Sequence, residues 1–283
     1  MSSRCITPFY KKEPIRGEYM PLPCGKCPPC KKRRTSGWSF RLVKEGERSN
    51  SALFITLTYD TDYVPITSNG FMNLNLQDLQ KFFKRLRKRT NEKIKYYAVG
   101  EYGSNKKRPH YHIILFNANK EHIIDSWTID NKPIGSVHIG DVSTASIGYT
   151  LKYMSKESKI PMHKNDDRKK EFAVMSKGLG KHYLSEKMIK WHKNDLLNRM
   201  YVPIEDGKKI AMPRYYKDKM YTEQEKDKIN EHMGKIGELE ELKMVEFYGS
   251  IYEKERIKME EGLKAFKKMY KNSEKERKQN YEN

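Results

Sequence analysis

The chain has 283 residues, 36% hydrophobic and 33% charged, enough for one substantial core with appendages or for two small domains. No stretch approaches the roughly 18 consecutive apolar residues of a membrane span. Met1 to Gly17 hold no apolar segment of the kind a secretory leader needs, so an intracellular protein working away from membranes is the expectation.

The formal net charge is +20, and its placement says more than its size. From Lys217 to the end, 16 basic side chains balance 16 acidic ones, so the whole excess lies in residues 1–216. A partner of dense negative charge, nucleic acid above all, accounts for this better than a surface made basic for solubility or for an anionic membrane.

In chain order, the first feature is a cluster of cysteines. Cys5, Cys24, Cys27 and Cys30 offer four thiolates, enough for one tetrahedral Zn²⁺, with Gly25 and Pro28 to shape the turn. Lys31, Lys32, Arg33 and Arg34 follow at once and read as contacts to a DNA backbone. Three cysteines two residues apart can also crowd a single ion, so an iron–sulfur cluster and reduced free thiols stay open beside zinc. A disulfide framework does not suit an intracellular chain.

Residues 51–60 (Ser51 to Asp60) are rich in β-formers and end in a polar turn, which predicts a buried strand. Leu76, Leu79, Phe82, Phe83 and Leu86 recur at helical spacing, with Asn75 and Asp78 at the start and five cations at the end. Two more strands are expected over Lys95–Gly100 and Pro109–Phe116, joined by a polar turn at Gly103–Lys107. A short helix over Glu121–Trp127, a strand over Ser136–Val142 and a helix over Thr144–Glu157 follow. The order β-α-β-β-α-β-α predicts an α+β fold: a central, mostly antiparallel sheet with flanking helices. Residues 161–216, dotted with Gly and Pro, are expected to be mixed, and 217–283 to form a long charged helix.

Within these elements, His110 and His112 stand at i and i+2 of a strand and so share one face. Glu101, nine residues upstream, comes beside them if the turn is tight. Two imidazoles and a carboxylate leave positions open on an ion, as catalytic metal sites do. Such a set suits either non-haem iron or a hard divalent ion, Mg²⁺ or Mn²⁺, holding a phosphate. The helix over Thr144–Glu157 decides between them. Tyr149 and Tyr153, at i and i+4, are neighbours on one helix face, with Lys152 and Lys156 beside them. A phenol, with a pKa of about 10, needs a nearby cation and an activated electrophile before it attacks at neutral pH. An iron oxygenase has no use for this arrangement.

These residues resemble the HUH endonucleases, which carry a His-hydrophobic-His metal motif and a downstream helix bearing tyrosine. The matching pieces are Phe54-Ile-Thr-Leu-Thr-Tyr59, Arg108-Pro-His-Tyr-His112 and Tyr149-Thr-Leu-Lys-Tyr153, in that order. Tyr111 stands where an aliphatic residue is usual. More narrowly, the chain is similar to the replication initiators of the Microviridae, gokushovirus type, through Pro23-Cys-Gly-Lys-Cys-Pro-Pro-Cys30, Trp38, Arg41 and Gly100-Glu-Tyr-Gly103. The resemblance spans about Cys5 to Gly180 and leaves the tail after residue 217 uncovered.

The resemblance implies an HUH core over 49–160, preceded by a Cys-rich basic unit over 1–48 and followed by a basic extension over 161–216 and the tail over 217–283. It implies that His110, His112 and Glu101 hold Mg²⁺ or Mn²⁺ against a phosphate of single-stranded origin DNA. Tyr149 or Tyr153 then attacks, with Lys152 in support and Arg108 and Lys156 among the DNA contacts. The two tyrosines would alternate through a rolling-circle cycle. Gly178-Leu-Gly180-Lys181 is too short for a P-loop and reads as a turn, so a host helicase and DNA polymerase in the bacterial cytoplasm are the implied partners. Two rival readings are an HUH-class transposase or relaxase-like nickase and a zinc-containing DNA-binding regulator without enzymatic activity. The regulator leaves Glu101, the histidines and the tyrosines unexplained together.

Overall fold

The structure, a computed structural model, describes residues 5–12, 17, 19–103, 106–155, 160–204, 207–250, 252–253, 256–257 and 259–264. In chain order, strands β1 (Phe9–Lys12) and β2 (Tyr19–Leu22) precede helix α1 (Pro28–Gly46). Then come β3 (Ala52–Thr58), α2 (Leu76–Lys88), β4 (Lys95–Tyr102), β5 (Pro109–Phe116) and α3 (Lys120–Ile124). A two-residue hairpin, β6 (Thr128–Ile129) and β7 (Lys132–Pro133), leads to β8 (Val137–Asp141), α4 (Thr144–Ser155) and β9 (Phe172–Met175). The rest is α5 (Glu186–Lys193), β10 (Tyr201–Pro203), β11 (Lys209–Ala211), α6 (Arg214–Met220) and α7 (Glu223–Tyr248).

Two compact units result, Arg41–His182 and Met1–Phe40 with Tyr183–Asn283. The first is α+β. Its five strands lie in the order β8-β3-β5-β4-β9, every neighbouring pair antiparallel. β3 alternates as a half-covered strand should: Leu53, Ile55 and Leu57 are buried on one face while Phe54, Thr56 and Thr58 point to the other. The buried face meets Leu79, Phe82, Phe83 and Leu86 of α2, together with Tyr111 and Trp127, in the main core. Helix α2 begins where its chemistry requires: the Asn75 side chain accepts the Gln77 N–H.

The sheet closes through one tight approach. A Cβ on Gly135 would lie 1.9 Å from the Thr58 carbonyl oxygen. That oxygen accepts the Trp127 indole N–H at 2.7 Å, and the Thr58 N–H donates to the Ser136 carbonyl at 3.0 Å. No rotamer change relieves a clash with backbone. Gly135→Ala is therefore expected to cost about 3 kcal/mol, lowering Tm by roughly 10 °C. A thermal melt within a degree or two of the parent would refute that close approach.

Against the sequence-based expectations, β3, α2, β5, β8 and α4 fall within two residues of their predicted bounds wherever the structure describes them. β4 runs two residues further than expected, to Tyr102, so Glu101 lies inside a paired strand. The 19-residue helix α1 was not anticipated from a cysteine-rich, basic stretch, nor was β9, which supplies the fifth strand from residues 172–175. The Gly178–Gly180 segment is a turn, as expected. Both glycines have positive φ, and the turn is pinned by Arg41 Nε on the Leu179 carbonyl (3.0 Å) and Glu45 on the Gly180 N–H (2.8 Å).

In the other unit, Phe40, Tyr183, Val202, Met212, Tyr216, Met220, Tyr221 and Ile229 form a second core. The 26-residue α7 opens with a reciprocal capping box between Thr222 and Glu225 and ends at Gly249, whose φ of 73° closes the helix. Among the described residues no helix is long and apolar enough to cross a membrane.

Candidate metal centre and tyrosine helix

β5 is the central strand of the sheet, and its side chains divide strictly by parity. Tyr111 points to the α2 face, where its hydroxyl meets Tyr59 Oη at 3.0 Å and donates to the Asn75 carbonyl at 2.8 Å. His110 and His112 point to the other face. The register of β4 against β5 sets Glu101 directly opposite His110 and Val99 opposite His112. Gly103 N–H donates to the Arg108 carbonyl at 3.0 Å, holding the base of the hairpin.

One carboxylate oxygen receives both imidazoles. Glu101 Oε1 lies 2.6 Å from His110 Nε2 and 2.8 Å from His112 Nε2. Glu101 and His112 are each only 3% exposed. Burial pushes the Glu101 carboxyl up, but hydrogen bonds from His110 and His112, and then their charge, outweigh it and hold the group below its ordinary value.

The far side of each ring is held too. His112 Nδ1 is 3.0 Å from Thr56 Oγ1, its cross-strand partner on β3, and His110 Nδ1 is 3.2 Å from the Arg108 carbonyl. His110 therefore stands between two oxygen acceptors, which a neutral imidazole with one N–H cannot satisfy together. A cation placed between Nε2 and the carboxylate resolves the conflict, with Nδ1–H donating to the carbonyl. Backing of this kind orients metal-binding histidines and leaves Nε2 as the ligand. Glu101, His110 and His112 thus form a donor set, one atom from each lying within 4.8 Å of the others, suited to a divalent ion with open positions.

Thr56 was not among the residues singled out in the sequence; its signal is the strand pairing, visible only once β3 and β5 are in register. Thr56→Val, which keeps the shape and removes the hydroxyl, is expected to weaken Mn²⁺ binding by about 10- to 100-fold. Calorimetric titration decides this, and unchanged affinity would show that the hydroxyl does not orient the ring.

Helix α4 lies across the same face of the sheet. Ser143 and Ser146 cap its start reciprocally, Ser143 N–H to Ser146 Oγ at 2.8 Å and Ser146 N–H to Ser143 Oγ at 3.1 Å. Ile147, Thr150 and Leu151 are buried. Tyr149 reaches the metal centre: its Oη is 3.4 Å from His112 Nε2, and its ring meets His112 edge-on at 4.9 Å. Phe54, stacked on His112 at 5.7 Å, holds the other side. Lys152 is half-buried one turn along the helix. Tyr153 is on α4, four residues after Tyr149, but its side chain lies outside the described residues, as does the whole of Lys156.

Arg108 turns away from open solvent to bind the chain: Nε and Nη2 donate to the Tyr59 carbonyl at 3.0 and 2.7 Å, and Nη2 to Thr61 Oγ1 at 3.3 Å. Lys31, Lys32, Arg33 and Arg34 occupy the first turns of α1, in the other compact unit, with Lys32 and Arg34 exposed. The four cysteines of that unit also converge, their Sγ atoms within 4.8 Å of one another. Hydrogen bonds from Thr7 and then from the Cys27 and Lys26 backbone lower the Cys24 thiol to about 5, whereas burial pushes Cys30 up to about 12.

Comparison with known proteins gives a consistent set. The family described as replication-associated protein of the ORF2 and gene II protein type matches residues 52–158, the stretch that holds β3 to α4. The replication-associated protein ORF2 of Spiroplasma virus 4 is 32% identical over 225 residues, covering 71% of this chain and 68% of that protein. The replication-associated protein VP4 of Bdellovibrio phage phiMH2K is 26% identical over 241 residues, covering 76% and 72%. The replication-associated protein ORF4 of Chlamydia phage 1 is 24% identical over 222 residues, covering 70% and 53%. No solved structure matches the chain at a significant level.

Proposed function

The chain belongs to the family of replication-associated proteins of the Microviridae, and on that premise we propose that it is an HUH-type endonuclease and strand-transferase that nicks and rejoins the origin strand of a circular phage genome. The observation that carries the reading is the 3.4 Å separation of the Tyr149 hydroxyl from His112 Nε2, on the face where Glu101 and His110 converge. A phenol so placed finds its electrophile in a phosphate held at the same centre.

Mg²⁺ or Mn²⁺ held by Glu101, His110 and His112 supplies Lewis-acid polarisation of that phosphate. Tyr149 Oη attacks the phosphorus and the bond to the 3′ oxygen breaks, leaving a 5′-phosphotyrosine and a free 3′-OH for a host polymerase to extend. Lys152, at i+3 on the helix, favours the phenolate that an ordinary phenol rarely reaches near neutral pH. The new ester keeps the free energy of the broken one, so rejoining needs no nucleotide. Tyr153 takes the second cut while Tyr149 still holds the first 5′ end.

Affinity for single-stranded origin DNA comes from the basic residues of the first 216 positions, with Lys31, Lys32, Arg33, Arg34, Arg108 and Lys156 as candidates. The sequence has no P-loop, so a host helicase opens the duplex, in the cytoplasm of the infected bacterium. The test is direct. Protein incubated with single-stranded DNA of its own phage origin and Mn²⁺ is expected to form an SDS-stable adduct that maps to the α4 peptide. Cleavage without any adduct, or no cleavage with any divalent ion, would overturn the proposal.

A further inference from the structure

The cysteines take no part in the chemistry proposed above, yet they are placed with comparable care. Cys27 Sγ is 3.8 Å from Cys5 Sγ, and all four sulfurs lie within 4.8 Å of one another. Four thiolates at about 2.3 Å from one tetrahedral Zn²⁺ stand roughly 3.8 Å apart. A disulfide needs about 2.05 Å, and a four-iron cluster, in which each thiolate takes its own iron, spreads its sulfurs more widely. Backbone donors converge as well. Cys24 N–H donates to Cys5 Sγ at 3.2 Å, and the N–H groups of Lys26 and Cys27 donate to Cys24 Sγ at 3.4 and 3.3 Å. Gly25, with φ of 73°, turns the chain so that both of the latter reach one sulfur.

Charge points the same way. Helix α1 starts at Pro28, the Cys27 carbonyl accepts the Lys31 N–H at 3.0 Å, and the first turn holds no acidic residue. Instead Lys31, Lys32, Arg33 and Arg34 crowd the positive end of the helix dipole, where cations are unfavourable. A tetrathiolate zinc carries a net charge of −2. At this position it offsets both the dipole and the four cations.

We propose that Cys5, Cys24, Cys27 and Cys30 hold one structural Zn²⁺ whose anionic tetrathiolate caps α1 and fixes the direction of the Lys31–Arg34 run. The ion has no open coordination position and is separate from the Glu101–His110–His112 centre. It joins Cys5, ahead of the β1–β2 hairpin, to Cys30 in the first turn of α1, and so determines where that helix begins.

Full-length protein produced with ZnCl₂ in the medium and dialysed into metal-free buffer is expected to retain about one zinc per chain. Co²⁺ exchanged into the unaltered protein should show the intense d–d and thiolate charge-transfer bands of a tetrahedral all-sulfur site, a reading that needs no variant and does not depend on how a variant folds. Cys24→Ser and Cys30→Ser should each lose most of the zinc, whereas the double variant His110→Ala, His112→Ala should keep it. Failure of the nicking assay leaves these outcomes unchanged, so the two proposals stand or fall separately. A chain without zinc, octahedral cobalt spectra, the visible chromophore of an iron–sulfur cluster, or zinc lost with the histidines and not the cysteines would each overturn this one.

Discussion

The double variant Tyr149→Phe, Tyr153→Phe is expected to form no covalent adduct with origin DNA and to lose cleavage by on the order of 10⁴- to 10⁶-fold, the scale seen when a covalent nucleophile is removed. Each single variant is expected to behave differently. Tyr149 stands 3.4 Å from His112 Nε2, and Tyr153 follows four residues later on the same helix, the spacing that brings side chains to one face. Either ring oxygen then has access to a phosphate held at the centre, and each single variant should still give an adduct on a short single-stranded substrate. Neither should complete the cycle that releases a closed circle, because the remaining tyrosine is already esterified to the first 5′ end. Loss of the hydroxyl leaves the ring contacts of Tyr149 with His112 and Phe54 in place, so the folded state should change little and can be checked by melting. Normal full cycles by Tyr153→Phe would make Tyr149 the sole nucleophile and Tyr153 a packing residue.

His112→Ala is expected to lower nicking by at least about 10³-fold, roughly 4 kcal/mol of transition-state stabilisation, while binding to single-stranded DNA stays within a few-fold. The two effects separate because one ion polarises one phosphate, whereas affinity is summed over many Lys and Arg contacts. The substitution removes one of three ligands and leaves Glu101 Oε1 with a single imidazole partner. His112 is buried between Phe54 and Tyr149, so some stability is lost as well. His110→Ala, at the more open edge of the site, controls for that: it should abolish nicking with a smaller effect on the melt. If both variants nick at the parental rate with added Mn²⁺, the histidines are not the metal ligands.

Much of this site is local enough to read along the chain. A strand alternates every two residues, so His110 and His112 must share a face and Tyr111 must take the other. A helix repeats every 3.6, so Leu79, Phe82, Phe83 and Leu86 mark one buried stripe of α2, and Tyr149 and Tyr153 are neighbours whatever the helix packs against. The basic excess of residues 1–216 is a matter of counting. In each case the physical cause acts within one element, and the sequence alone determined the outcome.

What remained depended on groups far apart in the chain. Glu101 meets the histidines because β4 pairs two residues beyond its apparent end, and strand register is set by the whole sheet and its hairpin. Thr56 lies 56 residues from His112, and only the β3–β5 ladder makes it the partner of Nδ1. β9 is four short, half-buried residues that become a strand only when the β4 edge is present to pair with them. Gly135 matters because Thr58, 77 positions earlier, brings a carbonyl oxygen against its Cα. Helix α1 was hidden for a different reason: its first turns carry cysteine and clustered cations, poor signals of a helix in isolation, and its burial depends on Phe40 packing with Tyr183 and Tyr216. Periodicity is a property of one segment and survives in the sequence. Register, close approach and second-sphere hydrogen bonds are agreements between segments, and only the tertiary structure decided them.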